Sequence, residues 1–255
     1  MNDHTPTFLE NPDSKSLAVF IHGFMGSPRQ FDYLAEAAHA YGCSAASLLL
    51  PGHGGTVKEF SKSTMENWQN HVDSEVGRLS HDFDDVLLVG HSMGGLLAIN
   101  TAAKYTGNVR GLLLIACPFK LSIFSGYSIK VLLKQAFSRK SRPIKAAYIA
   151  GSSVSPSPSL IWRVSKPTAE LKKLISAAKE NLSEVRAPVT AIYSTADETV
   201  SIESLETLQT RLDRELLKQI ILSDSLHAYF PEHEQEIIKN ALVQIIASSA
   251  REARG

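Results

Sequence analysis

Apolar residues along this chain follow two patterns that alternate. Besides Leu217 to Leu222, which contains Lys218 and Gln219 and reads as a last strand, short, largely apolar runs come first: Leu17-Ala18-Val19-Phe20-Ile21, Ala45 to Leu50, Val86-Leu87-Leu88-Val89, Val109 to Ala116 and Pro188 to Tyr193. Such runs, without polar alternation, are expected of strands buried on both faces of a parallel sheet. Between them apolar residues recur every three or four positions, as on one face of a helix. Phe31, Leu34, Ala35 and Ala38 form one such set, and Met65, Trp68, Val72, Val76 and Leu79 another. Leu171, Leu174, Ile175, Ala178 and Leu182 form a third, Ile202, Leu205, Leu208 and Leu212 a fourth, and Ile238, Ala241, Leu242, Ile245 and Ile246 a fifth. Ser27-Pro28-Arg29-Gln30 and Ser63-Thr64-Met65-Glu66 have the spacing of capping boxes, and Pro231 opens the last helix. Strands alternating with helices predict an α/β fold with a mostly parallel sheet. Right-handed crossovers then bring the loops after the strands' carboxyl ends to one edge of the sheet.

The alternation breaks between Pro118 and Pro167. Apolar and basic residues mix there without a period, and the Gly/Ser/Pro-rich segment from Gly151 to Ser159 cannot be regular helix. This predicts a core of residues 1–117 and 168–255, with residues 118–167 inserted as a cap over the active edge. Charge sharpens the contrast. The chain is neutral overall, which gives no case for nucleic acid, yet residues 110–166 carry ten Lys/Arg and no acid. The other residues hold 16 basic against 26 acidic groups. A basic, apolar cap suits substrates with a long apolar chain, or transient contact with an anionic lipid surface. Cys43 and Cys117 lie in or beside apolar runs and are expected to be buried reduced thiols, and no Cys/His cluster has zinc spacing. The N-terminus lacks a signal-peptide pattern, and no apolar run approaches the ~20 residues that span a bilayer. The expected location is the cytoplasm.

Chemistry concentrates where the third run ends, in Gly90-His91-Ser92-Met93-Gly94-Gly95, just before the helix-like Leu96-Leu97-Ala98-Ile99. A Gly-x-Ser-x-Gly between strand and helix presents its serine on a sharp turn. A serine hydroxyl needs a base to take its proton, and histidine is suited by its pKa. Of nine histidines, His227 lies in the loop after the last strand and reaches the active edge; His233, in the helix after Pro231, is the second choice. The base needs an acceptor. Asp197 follows the penultimate strand directly, whereas neighbouring Glu198 is expected on the other side of the chain and Asp224 is more simply a loop residue. No acid lies between Val109 and Ala169 to compete from the preceding strand. Two N–H donors must receive the oxyanion. Met93, after the nucleophile, supplies one, and Phe24, in the glycine loop His22-Gly23-Phe24-Met25-Gly26, is the candidate for the other.

Ser92, Asp197 and His227, in that order, resemble the α/β-hydrolase superfamily. Together with His22-Gly23-Phe24, Leu50-Pro51-Gly52-His53-Gly54, Asp197-x-x-Val200 and Ser225-x-His227, they look like its bacterial carboxylesterase and monoacylglycerol lipase group. The resemblance implies an α/β-hydrolase fold and acyl transfer to serine without cofactor or metal. Ser92, Asp197 and His227 would be the triad, Phe24 and Met93 the oxyanion donors. His22, His91, Phe119, Ile123 and Trp162 are candidates for the substrate pocket. The expected substrate is a small acyl ester of short to medium chain, or a monoacylglycerol. A thioesterase or a C–C bond hydrolase would use the same triad; a peptidase or a non-catalytic binder fits less well. About sixteen residues precede the first core strand, too few for the antiparallel strand pair that opens many members, so a sheet of six or seven strands is expected.

Overall fold

The computed structural model describes residues 4–122, 152–154 and 163–252. Its sheet has seven strands: β1 (Thr7–Leu9), β2 (Ser16–Ile21), β3 (Ser44–Leu48), β4 (Asp85–His91), β5 (Val109–Ile115), β6 (Val189–Ser194) and β7 (Leu217–Leu222). They lie in the order β1-β3-β2-β4-β5-β6-β7. All neighbours pair in parallel except β1, which pairs antiparallel with β3, Phe8 opposite Ala46. The described helices are α1 (Asp32–Ala40), α2 (Val57–Phe60), α3 (Met65–Leu79), α4 (Met93–Lys104), α5 (Ser165–Asn181), α6 (Ser204–Arg211) and α7 (Glu232–Glu252). No described helix is long and apolar enough to cross a membrane.

The continuous apolar runs are explained by the two cores they feed. In β2, Leu17, Val19 and Ile21 face one core, while Ala18 and Phe20 face the other. In β4, Val86 and Leu88 join the first, and Leu87 and Val89 the second. The first core is closed by α3, α4, α5 and α6, the second by α1 and α7. A strand covered on both faces has no polar side to show, so period-two alternation vanishes. Cys43 and Cys117 are buried and free, as expected.

Two elements were not anticipated. β1 is three residues long and mostly exposed, too short to carry a pattern. It is a single antiparallel strand, for which the short N-terminal stretch suffices. α2 is one turn, closed by a capping box in which the Thr56 hydroxyl accepts from the Glu59 N–H and the Glu59 carboxylate accepts from the Thr56 N–H. The two expected boxes are incomplete. Ser27 does cap the helical turn at Pro28, but Gln30 does not close the box, and its Oε1 has no partner among the described residues. In α3 the cap is Thr64, which accepts from the Asn67 N–H at 3.1 Å, while Ser63 donates to the Pro51 carbonyl. Most of the predicted cap, residues 123–151 and 155–162, lies outside the described residues.

Candidate active site

β4 passes into α4 through Ser92, whose φ of 52° and ψ of −120° lie in a region that costs a non-glycine residue ~1–3 kcal/mol. The turn is fixed by the Ser92 N–H donating to the Ile115 carbonyl at 2.8 Å and by the Gly95 N–H donating to the Ser92 carbonyl at 2.9 Å. The flanking glycines let it close. A Cβ on Gly90 would lie 2.5 Å from the backbone of Gly95, and one on Gly94 would overlap the carbonyl oxygen of Ile21. The sequence demand for small neighbours is thus a demand for backbone-to-backbone contact.

The carboxyl ends of β6 and β7 bring the partners. The Ser92 hydroxyl donates to His227 Nε2 at 3.0 Å, and His227 Nδ1–H donates to Asp197 Oδ2 at 3.0 Å. The other Asp197 oxygen accepts the N–H groups of Thr199 and Val200, each at 2.8 Å. Burial opposes ionisation of Asp197, but the His227 ring and those two N–H groups outweigh it and hold its pKa below the usual carboxylate value. For His227, burial lowers the pKa, while the charges of Asp197 and Glu198 raise it further, so the net shift is upward. His233, the other candidate base, is exposed and pairs with Asp224 at 3.1 Å.

Met93 is the first residue of α4, where no intrahelical carbonyl receives the N–H and the helix dipole favours negative charge. The glycine loop after β2 is held by the Gly26 N–H on the Gly23 carbonyl and by the Met25 N–H on His53 Nε2 at 3.1 Å. Neither bond uses the Phe24 N–H. Met25 takes a φ of 59° to make the turn. Two residues of the predicted cap also dock here: the Ser153 N–H donates to the Met25 carbonyl and its hydroxyl to the Gly26 carbonyl, while Val154 enters the first core.

Of the residues expected to line a substrate pocket, His22, His91 and Phe119 are described. His22 is fully buried, with Nδ1–H donating to the Gly23 carbonyl and Nε2 accepting from the Leu50 N–H, so its ring braces the glycine loop. His91 Nε2–H donates to the His227 carbonyl at 2.7 Å, and its Nδ1 has no described partner. Burial drives the His91 pKa down to about 3, and the ring stays neutral. Phe119 is buried in the first core. Ile123 and Trp162 lie outside the described residues. A cavity of about 450 Å³ opens beside His91, between Phe31, Tyr33, Ile115, Tyr229 and Phe230.

Three residues were missed or misplaced. Glu198, expected to face away, is buried and accepts the His227 N–H at 3.1 Å through Oε2. Glu234 of α7 receives the N–H groups of Ser223 and Asp224 and the Ser225 hydroxyl, fixing the loop that carries His227. His53 supports the Met25 turn. No local pattern announces these contacts, because each joins residues of different elements or loops. Asp224, His233 and Glu234 are close enough to share an ion, but the Glu234 oxygens are already engaged by the loop.

The model for the alpha/beta hydrolase family matches residues 18–237, all of the described core but β1 with the start of β2 and most of α7. The chain belongs to that family. A relative among these hydrolases is the thermostable monoacylglycerol lipase of Bacillus sp. (strain H-257), 31% identical over 100 residues, 39% of each chain. Another is the 2-succinyl-6-hydroxy-2,4-cyclohexadiene-1-carboxylate synthase of Salmonella agona (strain SL483), 30% identical over 119 residues, 43% of this chain and 41% of that one. The matched stretch is thus about two fifths of either relative's length. A solved structure from the work on LipS and LipT, two metagenome-derived lipolytic enzymes, superimposes with a TM-score of 0.74 at 22% identity, covering 96% of this chain and 98% of that one. It shares the hydrolase fold. The family carries ester hydrolysis among its lipase and esterase members.

Proposed function

We propose that this hydrolase cleaves carboxylic esters of short- to medium-chain acids, or monoacylglycerols, through an acyl-enzyme on Ser92. The observation that carries the reading is the unbroken hydrogen-bond chain from Ser92 Oγ through His227 to Asp197, with the serine raised on a strained turn. Ser92 Oγ attacks the acyl carbon as His227 Nε2 takes its proton, and Asp197 stabilises the imidazolium. The carbonyl oxygen gains charge in front of the N–H groups of Met93 and Phe24. Collapse breaks the bond to the alcohol, which leaves with the proton from His227. Water then repeats the sequence, its proton passing to His227 and its oxygen to the acyl carbon, and releases the acid with Ser92 restored. The likeness to a monoacylglycerol lipase supports an acyl ester as substrate.

The test is an acyl-chain series of p-nitrophenyl esters and monoacylglycerols, with an acyl-CoA as comparison, run on wild type and Ser92→Ala. The variant should fold normally and lose at least ~10³-fold in kcat/KM. A serine-reactive phosphonate should label Ser92 alone. Turnover by Ser92→Ala close to wild type, or labelling elsewhere, would overturn the mechanism; a preference for the acyl-CoA would overturn the substrate class.

A further inference from the structure

His227 is held by more than its ring. Its main-chain N–H donates to Glu198 Oε2 at 3.1 Å, and its main-chain carbonyl accepts from His91 Nε2–H at 2.7 Å. Glu198 follows the acid Asp197 in sequence, and His91 precedes the nucleophile Ser92. Both are almost fully buried, at 2% and 5% exposure. The His91 ring also packs on the His227 ring, with centroids 4.9 Å apart, and on Phe230.

We propose that Glu198 and His91 are positioning residues that clamp the main chain of His227 from its two sides. The inference rests on the reading of His227 as the base. Its logic is geometric. The ring of a loop histidine can meet both Ser92 and Asp197 only if its Cα is fixed, and an error of 1 Å in such a site costs ~10²-fold in rate. The immediate neighbours of the other two triad members fix it, so all three register with one another through β4 and β6. A buried carboxylate is costly unless hydrogen-bonded, so its presence at this N–H calls for a role beyond packing. The ionisable groups that face His227 are Asp197 and Glu198 from the turn after β6 and His91 from β4. Farther along its own loop, Asp224 pairs with His233, and Glu234 of α7 holds Ser223 to Ser225. Because His91 is neutral, Glu198 is the member of the clamp that also acts through charge, favouring the protonated base.

Glu198→Gln keeps an acceptor for the N–H and removes the charge; Glu198→Ala removes both; His91→Phe keeps the ring and removes the donor. The readouts are the His227 imidazole titration followed by NMR, which needs no turnover, and kcat and KM against pH on a p-nitrophenyl ester. In Glu198→Gln, His227 should titrate at lower pH than in wild type, and the acid limb of kcat/KM should move with it. Glu198→Ala should lose roughly 10–100-fold in kcat with KM nearly unchanged. His91→Phe should lower kcat while leaving the acid limb in place. If His227 titrates as in wild type in Glu198→Gln and kcat holds in all three variants, the clamp is wrong. Should Glu198→Ala fail to fold, His91→Phe still decides, since an unchanged kcat there overturns the clamp. Failure of the hydrolase reading would show itself separately, as turnover by Ser92→Ala.

Discussion

Gly94 and Gly107 are both glycines near α4, and they answer to different physics. A Cβ at Gly94 would drive into the carbonyl of Ile21, on the strand that leads to the glycine loop, whereas one at Gly107 would meet nothing within 4 Å. The backbone at Gly94 cannot retreat, because the turn at Ser92 is pinned to β5 through Ile115. Gly94→Ala should therefore destabilise by about 3 kcal/mol, the upper range for overpacking, and lower Tm by roughly 6–12 °C. Gly107→Ala should stay within ~0.5 kcal/mol. Differential scanning calorimetry of the two variants checks this, and equal Tm values would refute the steric account. At this scale the sequence was informative because the constraint is local: two glycines two residues from a serine report one turn. Glu198 was misjudged for the converse reason. Its side of the chain depends on where the β7 loop returns, and no residue near it records that.

Among elements, α3 and α4 are joined by a polar contact that an apolar periodicity hides. Asp73, on the buried face of α3 beside Val72 and Val76, accepts from the Thr101 hydroxyl at 2.7 Å, Gln69 Nε2 at 2.9 Å and Lys104 Nζ at 2.9 Å. Removing the carboxylate leaves the buried Thr101 hydroxyl without its acceptor, while Gln69 Nε2 keeps Thr101 Oγ1 at 2.9 Å. Asp73→Ala should cost about 3 kcal/mol in urea unfolding. Lys104→Ala should cost at most ~1 kcal/mol, because that ammonium is more than half exposed and its pair is screened by water. Similar losses in the two variants would show that the ion pair, and not the buried network, holds the helices. β2 to β6 and the longer helices could be read from the pattern because burial on both faces writes itself into nearly every residue of a run; β7, at the sheet edge with Lys218, Gln219 and Ile221 exposed, carries that signature less fully. β1 and α2 could not be read so, since three or four residues do not complete a period and their stability comes from Ala46 across the strand pair and from a Thr56–Glu59 cap.

Across the whole molecule, buried histidines other than His227 gather under the active edge, and they tie its architecture to pH. His22, His53 and His91 come from the ends of β2, β3 and β4; His22 and His53 spend both ring nitrogens on backbone groups of the neighbouring loops, and His91 its Nε2–H. Burial holds all three neutral: His53 at about 4, His91 at about 3, and His22 well below the ordinary value, with His22 and His53 in edge contact 4.7 Å apart. In the unfolded chain each takes up a proton near pH 6.5. Below that pH the unfolded state binds protons that the folded state refuses, so folding weakens as pH falls, by about 1.4 kcal/mol per pH unit for each group. His227 does not offset this. Its folded pKa is raised, so its contribution is fully present below pH 6.5 and is lost only as pH rises through the folded value. Asp197, with a depressed pKa, loses its contribution only as pH falls through the carboxylate range. Between pH 6.5 and 5 the three neutral rings together remove on the order of 5 kcal/mol, as much as a small domain's whole stability. Urea midpoints should fall steeply from pH 7 to pH 5, and the fall should be independent of Ser92→Ala. A midpoint at pH 5 equal to that at pH 7 would mean that these rings are charged in the folded protein, and that the loops of the active edge are held by something other than neutral histidine.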